Sequence, residues 1–326
     1  MNILITGCAG FIGFNLSLNL SSKKSIKVYG VDNLNNYYDI NLKKDRLKIL
    51  RKNNNFFFNK IDICNIKKVD NFFIKNKIDY VVHLAAQAGV RYSIENPRNY
   101  LKNNIIGFFN ILENSKNHKI KHLVYASTSS VYGESKKFPL AEDSSTDKPI
   151  SFYAATKKSN EVMAYSYSYI YNLRTTGLRF FTVYGPYGRP DMSLFKFTKS
   201  IIDSTKIKLF NNGNHERDFT YVDDVVDGIK KTLFKKNKYK IPYDIYNIGS
   251  NNPIHLKTYL KTIEKILNKK TLIKLSKFQL GDIKKTHASI KKITKDTNFQ
   301  PKTSIKIGIS KFVKWYREYY NVSKKI

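Results

Sequence analysis

Apolar and polar positions in the first half of the chain alternate in two rhythms. Short, almost continuous apolar runs at 2–6, 26–31, 56–60, 80–84, 123–127 and 175–180 are separated by amphipathic stretches of helical length. Runs of the first kind predict strands buried on both faces, and their alternation with helices predicts βαβ units in a parallel sheet. Beyond about Gly185 the rhythm shortens, with helices predicted over 193–204, 253–267 and 304–320. The segment 243–249 reads as a strand returning to the first sheet. The expected architecture is therefore α/β, with a doubly wound parallel sheet over 1–184 and a smaller, discontinuous α/β substrate lobe mainly over 185–326. No internal repeat or low-complexity tail interrupts it.

Open parallel sheets bind ligands beyond the carboxyl ends of their strands, so the residues that follow each strand carry the information. The first strand runs into Gly7-Cys8-Ala9-Gly10-Phe11-Ile12-Gly13, in a chain with only 15 glycines, and a helical stretch follows. A tight turn, a close backbone approach to a pyrophosphate and close helix–strand packing each require a glycine there, with the helix N-terminus facing the anion. The next strand ends in Asp32, nineteen positions after Gly13, where a ribose hydroxyl needs an acceptor. An acid at that place repels a 2′-phosphate. The motif thus predicts a Rossmann-like site for NAD rather than NADP.

The spacing Tyr-x-x-x-Lys puts a phenol and an ammonium on one helical face. It occurs three times, at Tyr132/Lys136, Tyr153/Lys157 and Tyr320/Lys324. Tyr132 lies in a glycine-containing loop and Tyr320 in the charged tail, whereas Tyr153 opens a long helical pattern, so context selects Tyr153/Lys157. Upstream, the strand at 123–127 runs out into the hydroxyl cluster Ser127-Thr128-Ser129-Ser130.

Composition narrows the surroundings of this site. The formal net charge is +33, from 58 Lys+Arg against 25 Asp+Glu, which by itself suggests a nucleic-acid or anionic partner. The lysines, however, are spread over nearly every segment, as in Lys43-Lys44, Lys157-Lys158, Lys235-Lys236 and Lys284-Lys285. A dispersed surface charge, able to attract an anionic substrate but not to bind nucleic acid specifically, is the expectation. Cys8 and Cys64 cannot build a disulfide framework and lack a metal-ligand spacing, so no metal is expected. Met1 leads into an apolar strand without a charged leader, and no apolar run reaches membrane-spanning length. A cytoplasmic protein without membrane association is expected.

The glycine motif, Leu84-Ala85-Ala86, the hydroxyl cluster and Tyr153/Lys157 together resemble the extended short-chain dehydrogenases of the nucleotide-sugar epimerase group. Three longer strings, 31–39, 83–93 and 178–192, are similar to the UDP-glucuronate 4-epimerases. The resemblance implies transient oxidation at carbon 4 to a keto sugar and re-reduction from the opposite face, with NAD regenerated in each cycle. It implies Thr128 as the catalytic hydroxyl, Tyr153 as the base and Lys157 as the supporting cation, lowering the phenol from its usual pKa near ~10. It places cofactor contacts at Gly7, Gly10, Phe11, Ile12, Gly13, Asp32, Asp62, Leu84, Ala85, Ala86 and Asn104, besides Tyr153 and Lys157. The nucleotide falls to Phe210, Arg217 and Asp282, and the sugar side to Arg91, Ser129, Thr182 and Arg189. A homodimer through helices near 98–113 and 151–171 is implied as well.

Three positions depart from the family pattern: Tyr187 stands for the usual Trp, Leu280 for Pro and Ser289 for Asp. Dehydratases and decarboxylases of the group carry a carboxylate in the hydroxyl cluster, and this chain carries none. Epimerisation of UDP-glucuronate to UDP-galacturonate is the reading that remains. A 4-epimerase for a neutral UDP-sugar, UDP-glucose or UDP-N-acetylglucosamine, is the alternative within the enzymes. A basic nucleic-acid-binding protein is the alternative outside them, and it leaves the glycine motif unexplained.

Overall fold

The structure, a computed structural model, describes residues 1–238 and 240–322. Its strands are β1 (Asn2–Thr6), β2 (Lys27–Asp32), β3 (Phe56–Lys60), β4 (Tyr80–His83), β5 (His122–Thr128), β6 (Thr175–Phe180), β7 (Thr182–Tyr184), β8 (Lys206–Phe210), β9 (Glu216–Tyr221), β10 (Tyr243–Ile248), β11 (Pro253–His255) and β12 (Leu272–Ser276). Seven of them form one sheet in the order β10-β6-β5-β4-β1-β2-β3, and every neighbouring pair is parallel. Helices cover the sheet, so β6 is buried along its whole length and β1 at four of its five residues. Burial on both faces removes the two-residue alternation and leaves the apolar runs seen in the sequence. The chain winds outward from β1 through β2 to β3, then crosses to β4 on the other side of β1. Connections leaving in opposite directions open a crevice beyond the ends of β1 and β4.

Outside the main sheet the chain forms two small sheets, β11-β9-β7 and β12-β8. β7 pairs with β9, so residues 182–184 stand outside the main sheet although the expected boundary lay at 184. The helix expected over 253–267 is shorter, Leu256–Leu267, because 253–255 pair antiparallel with β9 as β11. Pro253, which has no N–H to donate, is tolerated there as the first residue of an edge strand.

Two further local features position the site. The helical segment expected over 98–113 is three pieces, Pro97–Tyr100, a π-helical Leu101–Ile106 and Gly107–Asn117. The wider turn takes in an extra residue and buries Asn104. The helix Phe152–Tyr171 begins at Ser151, whose hydroxyl accepts from the Ala154 N–H, and ends at Asn172 in the left-handed conformation. Beneath its middle, Arg179 of β6 grips Glu161 side-on, with both N–O distances 2.9 Å. Ser127 Oγ donates to the same carboxylate at 2.7 Å. The end of β5 is thereby bolted to the helix that carries Tyr153. No helix among the described residues is long and apolar enough to cross a membrane.

Candidate active site

A cavity of about 1080 Å³ opens at the carboxyl ends of the main strands and runs into the smaller lobe. Pockets for one drug-sized ligand measure roughly 300–1,000 Å³, so this one has room for a cofactor and a substrate side by side. One end is walled by the glycine turn. Gly7 has φ of +73°, and a Cβ there would lie 2.7 Å from the Ala85 backbone N. A Cβ on Gly13 would lie 2.1 Å from Gly7 O, so the helix Phe11–Ser21 can press against the turn only with glycine at 13. The helix has no side-chain cap at Gly10, which leaves its N-terminal N–H groups facing the cavity for an anion. Asp32 closes this wall, accepting from the N–H of Ala9 at 3.1 Å and of Leu34 at 2.8 Å.

In the middle of the cavity stand Thr128, Ser129, Tyr153 and Lys157. Burial raises the Tyr153 hydroxyl above its ordinary pKa, while the nearby Thr128 hydroxyl and the charge of Arg189 pull it back. The downward pull expected from Lys157 thus comes here from these two groups. Thr128 Oγ1 itself donates to Ser130 Oγ at 3.2 Å. Lys157 is only 2% exposed, and burial lowers its ammonium to about 8. Its Nζ donates to Ala126 O at 2.9 Å. An ammonium has three donors, so two remain for a ligand. Together with the glycine turn and Asp32, these donors suit a dinucleotide with ribose hydroxyls.

The far end is polar and aromatic. The Arg91 guanidinium lies 4.5 Å from the Phe210 ring centroid. Arg217 Nη2 donates to Asp282 Oδ1 at 2.9 Å, and His215 Nε2 lies 3.3 Å from Asp282 Oδ2. Burial would raise Asp282, but His215 and Arg217 outweigh it and hold the carboxyl at about 2. Thr182 and Arg189 line the same cavity, and the charge of Arg189 reaches Tyr153.

Two expected cofactor contacts lie outside this lining. Asn104 is 1% exposed and spends its amide on Gln87 N, Gln87 O and Thr156 Oγ1, holding the wall from behind. Asp62 accepts from the Cys64 N–H in a tight turn, and its neighbours Ile61 and Ile63 line the cavity instead. The other expected residues do line it. The three departures do not: Tyr187 packs between Phe14 and Trp315, Leu280 points to solvent, and Ser289 lies under the small lobe with its N–H on Leu140 O.

Sequence reasoning missed Tyr37, Gln87, Asp191 and His215, all of which line the cavity. The first three sit inside the strings that carry the resemblance, whereas no spacing or motif singled out His215.

Known proteins match along the whole chain. Protein CapI of Staphylococcus aureus is 49% identical over 98% of this chain and 99% of its own. A UDP-glucuronate 4-epimerase of Thermodesulfobacterium geofontis is 43% identical over 99% and 98%. Among solved structures, UDP-glucuronic acid 4-epimerase from Bacillus cereus, in complex with UDP-glucuronic acid and NAD, superposes with a TM-score of 0.93 at 33% identity, covering 98% of this chain and all of that one. The family model described as NAD dependent epimerase/dehydratase matches residues 3–249. A turn built for a dinucleotide, set beside a Tyr/Lys pair on one helix, is what that family's chemistry requires, and the chain belongs to the NAD dependent epimerase/dehydratase family.

Proposed function

We propose that the chain is an NAD-dependent UDP-sugar 4-epimerase whose substrate is UDP-glucuronate. The observation that carries this reading is the company of Tyr153: a hydroxyl turn without an acid, Ser127-Thr128-Ser129-Ser130, and a hydroxyl and a guanidinium, those of Thr182 and Arg189, in one cavity. The similarity to proteins named UDP-glucuronate 4-epimerase supports it.

Bound NAD supplies a reversible hydride acceptor at carbon 4. Tyr153 Oη takes the proton of the carbon 4 hydroxyl, and Thr128 Oγ1, close beside it, steadies that proton. Lys157 offers its two uncommitted N–H donors to the ribose. Phe210, Arg217 and Asp282 hold the nucleotide while the sugar presents its other face. Arg91, stacked on Phe210, adds positive charge beside the diphosphate.

Oxidation at carbon 4 places a ketone β to the sugar carboxylate, and such acids lose carbon dioxide readily. In that leak the bond from carbon 5 to the carboxyl carbon breaks and its electron pair enters the enolate of the ketone. Protonation at carbon 5 and return of the hydride then give a UDP-pentose. Charge-assisted bonds from Arg189, with Thr182 and Ser129, would hold the carboxylate so that the breaking bond stays out of line with the carbonyl.

The test is purified protein, without added cofactor, given UDP-glucuronate and UDP-glucose side by side, with products separated by chromatography. UDP-galacturonate should form, and the protein should carry its own dinucleotide, because one regenerated each cycle has no reason to leave. Equal or better turnover of the neutral sugar would sink the carboxylate assignment and promote the alternative.

We infer a homodimer by the same resemblance. Phe109, on the helix Gly107–Asn117, and Val162 and Tyr169, on its neighbour Phe152–Tyr171, are 44, 58 and 67% exposed, which supports pairing of these helices with a second copy. Sedimentation equilibrium should read the mass of two chains, and a monomer at micromolar concentration would refute it.

A further inference from the structure

Arg189 does not wait in the cavity alone. Its Nε donates to Asp191 Oδ1 at 3.0 Å and its Nη2 to Asp191 Oδ2 at 2.5 Å, so the carboxylate takes one flank of the guanidinium side-on. Five N–H donors lie in the plane of that group. The pairing uses two and leaves the end edge, one N–H each from Nη1 and Nη2, as a second parallel fork of the kind that matches a carboxylate. Nη1 donates to no group among the described residues.

Asp191 is itself held. Burial favours its neutral form, but the Arg189 charge outweighs that and keeps the carboxyl below its usual range, so it is ionised at neutral pH. Tyr37 Oη donates to Asp191 Oδ2 at 3.3 Å from a position 154 residues away in sequence, on the loop after β2. The Arg189 guanidinium lies 5.8 Å from the Tyr37 ring centroid. Tyr37, Arg189 and Asp191 all line the cavity.

We propose that Asp191 is a positioning residue for substrate selection: it fixes the plane of Arg189 from the side so that the end edge meets the sugar carboxylate, and Tyr37 braces it across the cavity. The inference rests on the reading of the substrate as UDP-glucuronate. It assigns discrimination between acidic and neutral sugars to a residue that touches neither. A guanidinium without this brace would turn about its long stem, and the carboxylate would be held less firmly and in more than one orientation.

The experiment compares the wild-type holoenzyme with Asp191→Asn and Tyr37→Phe, each with UDP-glucuronate and UDP-glucose. Asparagine keeps the size of Asp191 but offers one acceptor and no charge. Its KM for UDP-glucuronate should rise about tenfold, the loss of roughly one charge-assisted bond. The KM for UDP-glucose should move less than about twofold, and the UDP-pentose share of the acidic product should grow. Tyr37→Phe, which removes a single hydroxyl and keeps the ring, should shift both readings the same way by a smaller factor, and it serves if Asp191→Asn fails to fold. A lower KM for UDP-glucuronate in Asp191→Asn would overturn the proposal, since Asp191 would then be a competitor for Arg189. Equal loss with both sugars would overturn it too, while leaving the reading of the substrate intact. Failure of the wild-type protein on UDP-glucuronate would overturn that reading, and this inference with it.

Discussion

Tyr153→Phe should lower turnover by roughly 10²–10⁴-fold, the usual contribution of a positioned general base, without loss of the fold or of the bound dinucleotide. Only a hydroxyl is removed. The ring keeps its place on the helix Phe152–Tyr171 and its edge contact with Tyr100, whose ring centroid is 6.0 Å away. The pH profile gives a second reading. Burial holds the Tyr153 hydroxyl above its ordinary value, against Thr128 and Arg189, so wild-type activity should rise with pH as the phenolate forms. The variant should lose that rise. Less than about a tenfold drop in turnover, with the pH dependence preserved, would show that another group is the base.

Lys157→Met should cut turnover by roughly 10²–10³-fold, as loss of one preorganised charged donor does, and yet make the dinucleotide-free protein more stable at pH 7. Burial lowers Lys157 to about 8 from an ordinary 10.5, so the folded chain binds this proton less readily than the unfolded chain. Below about pH 8 the ammonium is charged in both states, and the folded state carries the whole desolvation penalty. As pH climbs from about 8 to 10.5 the folded state sheds the proton first, and wild-type stability should increase through that window. Methionine fills the space without charge. After allowance for the lost bond to Ala126 O, the gain at pH 7 should be about 1–3 kcal/mol, shrinking toward pH 10. Thermal denaturation of both proteins, stripped of dinucleotide, at the two pH values measures it. A variant less stable than wild type at pH 7 would mean that the bond to Ala126 outweighs the buried charge.

A cavity lysine that destabilised its own fold in this way would be an instance of function opposing stability. The neighbouring buried charges differ from it in having full partners. Arg179 and Glu161 satisfy each other at two points, and Ser127 joins them, so that cluster stiffens the turn bearing Thr128. Lys157 has one backbone acceptor, and its remaining donors face the cavity. The difference separates a structural ion pair from a group kept ready for a ligand.

The amino-acid sequence by itself determined the main sheet, the glycine turn and the Tyr153/Lys157 pair. Each is written in local terms. Strands buried on both faces leave apolar runs, a turn that admits no Cβ leaves glycines at 7 and 13, and a helix brings positions four apart onto one face. Only the tertiary structure decided what those residues meet. The pairing of β7 and β11 with β9, the π-helical turn that spends Asn104 on Gln87, and the capture of Asp282 by Arg217 and His215 all join segments distant in sequence. The same holds for Tyr37, which reaches Asp191 from 154 residues away. Hydrophobic periodicity records whether a position is buried, because burial acts on every residue of an element in turn. It carries no record of which polar group stands opposite, because one hydrogen bond between distant side chains constrains two positions and leaves no repeating trace along the chain.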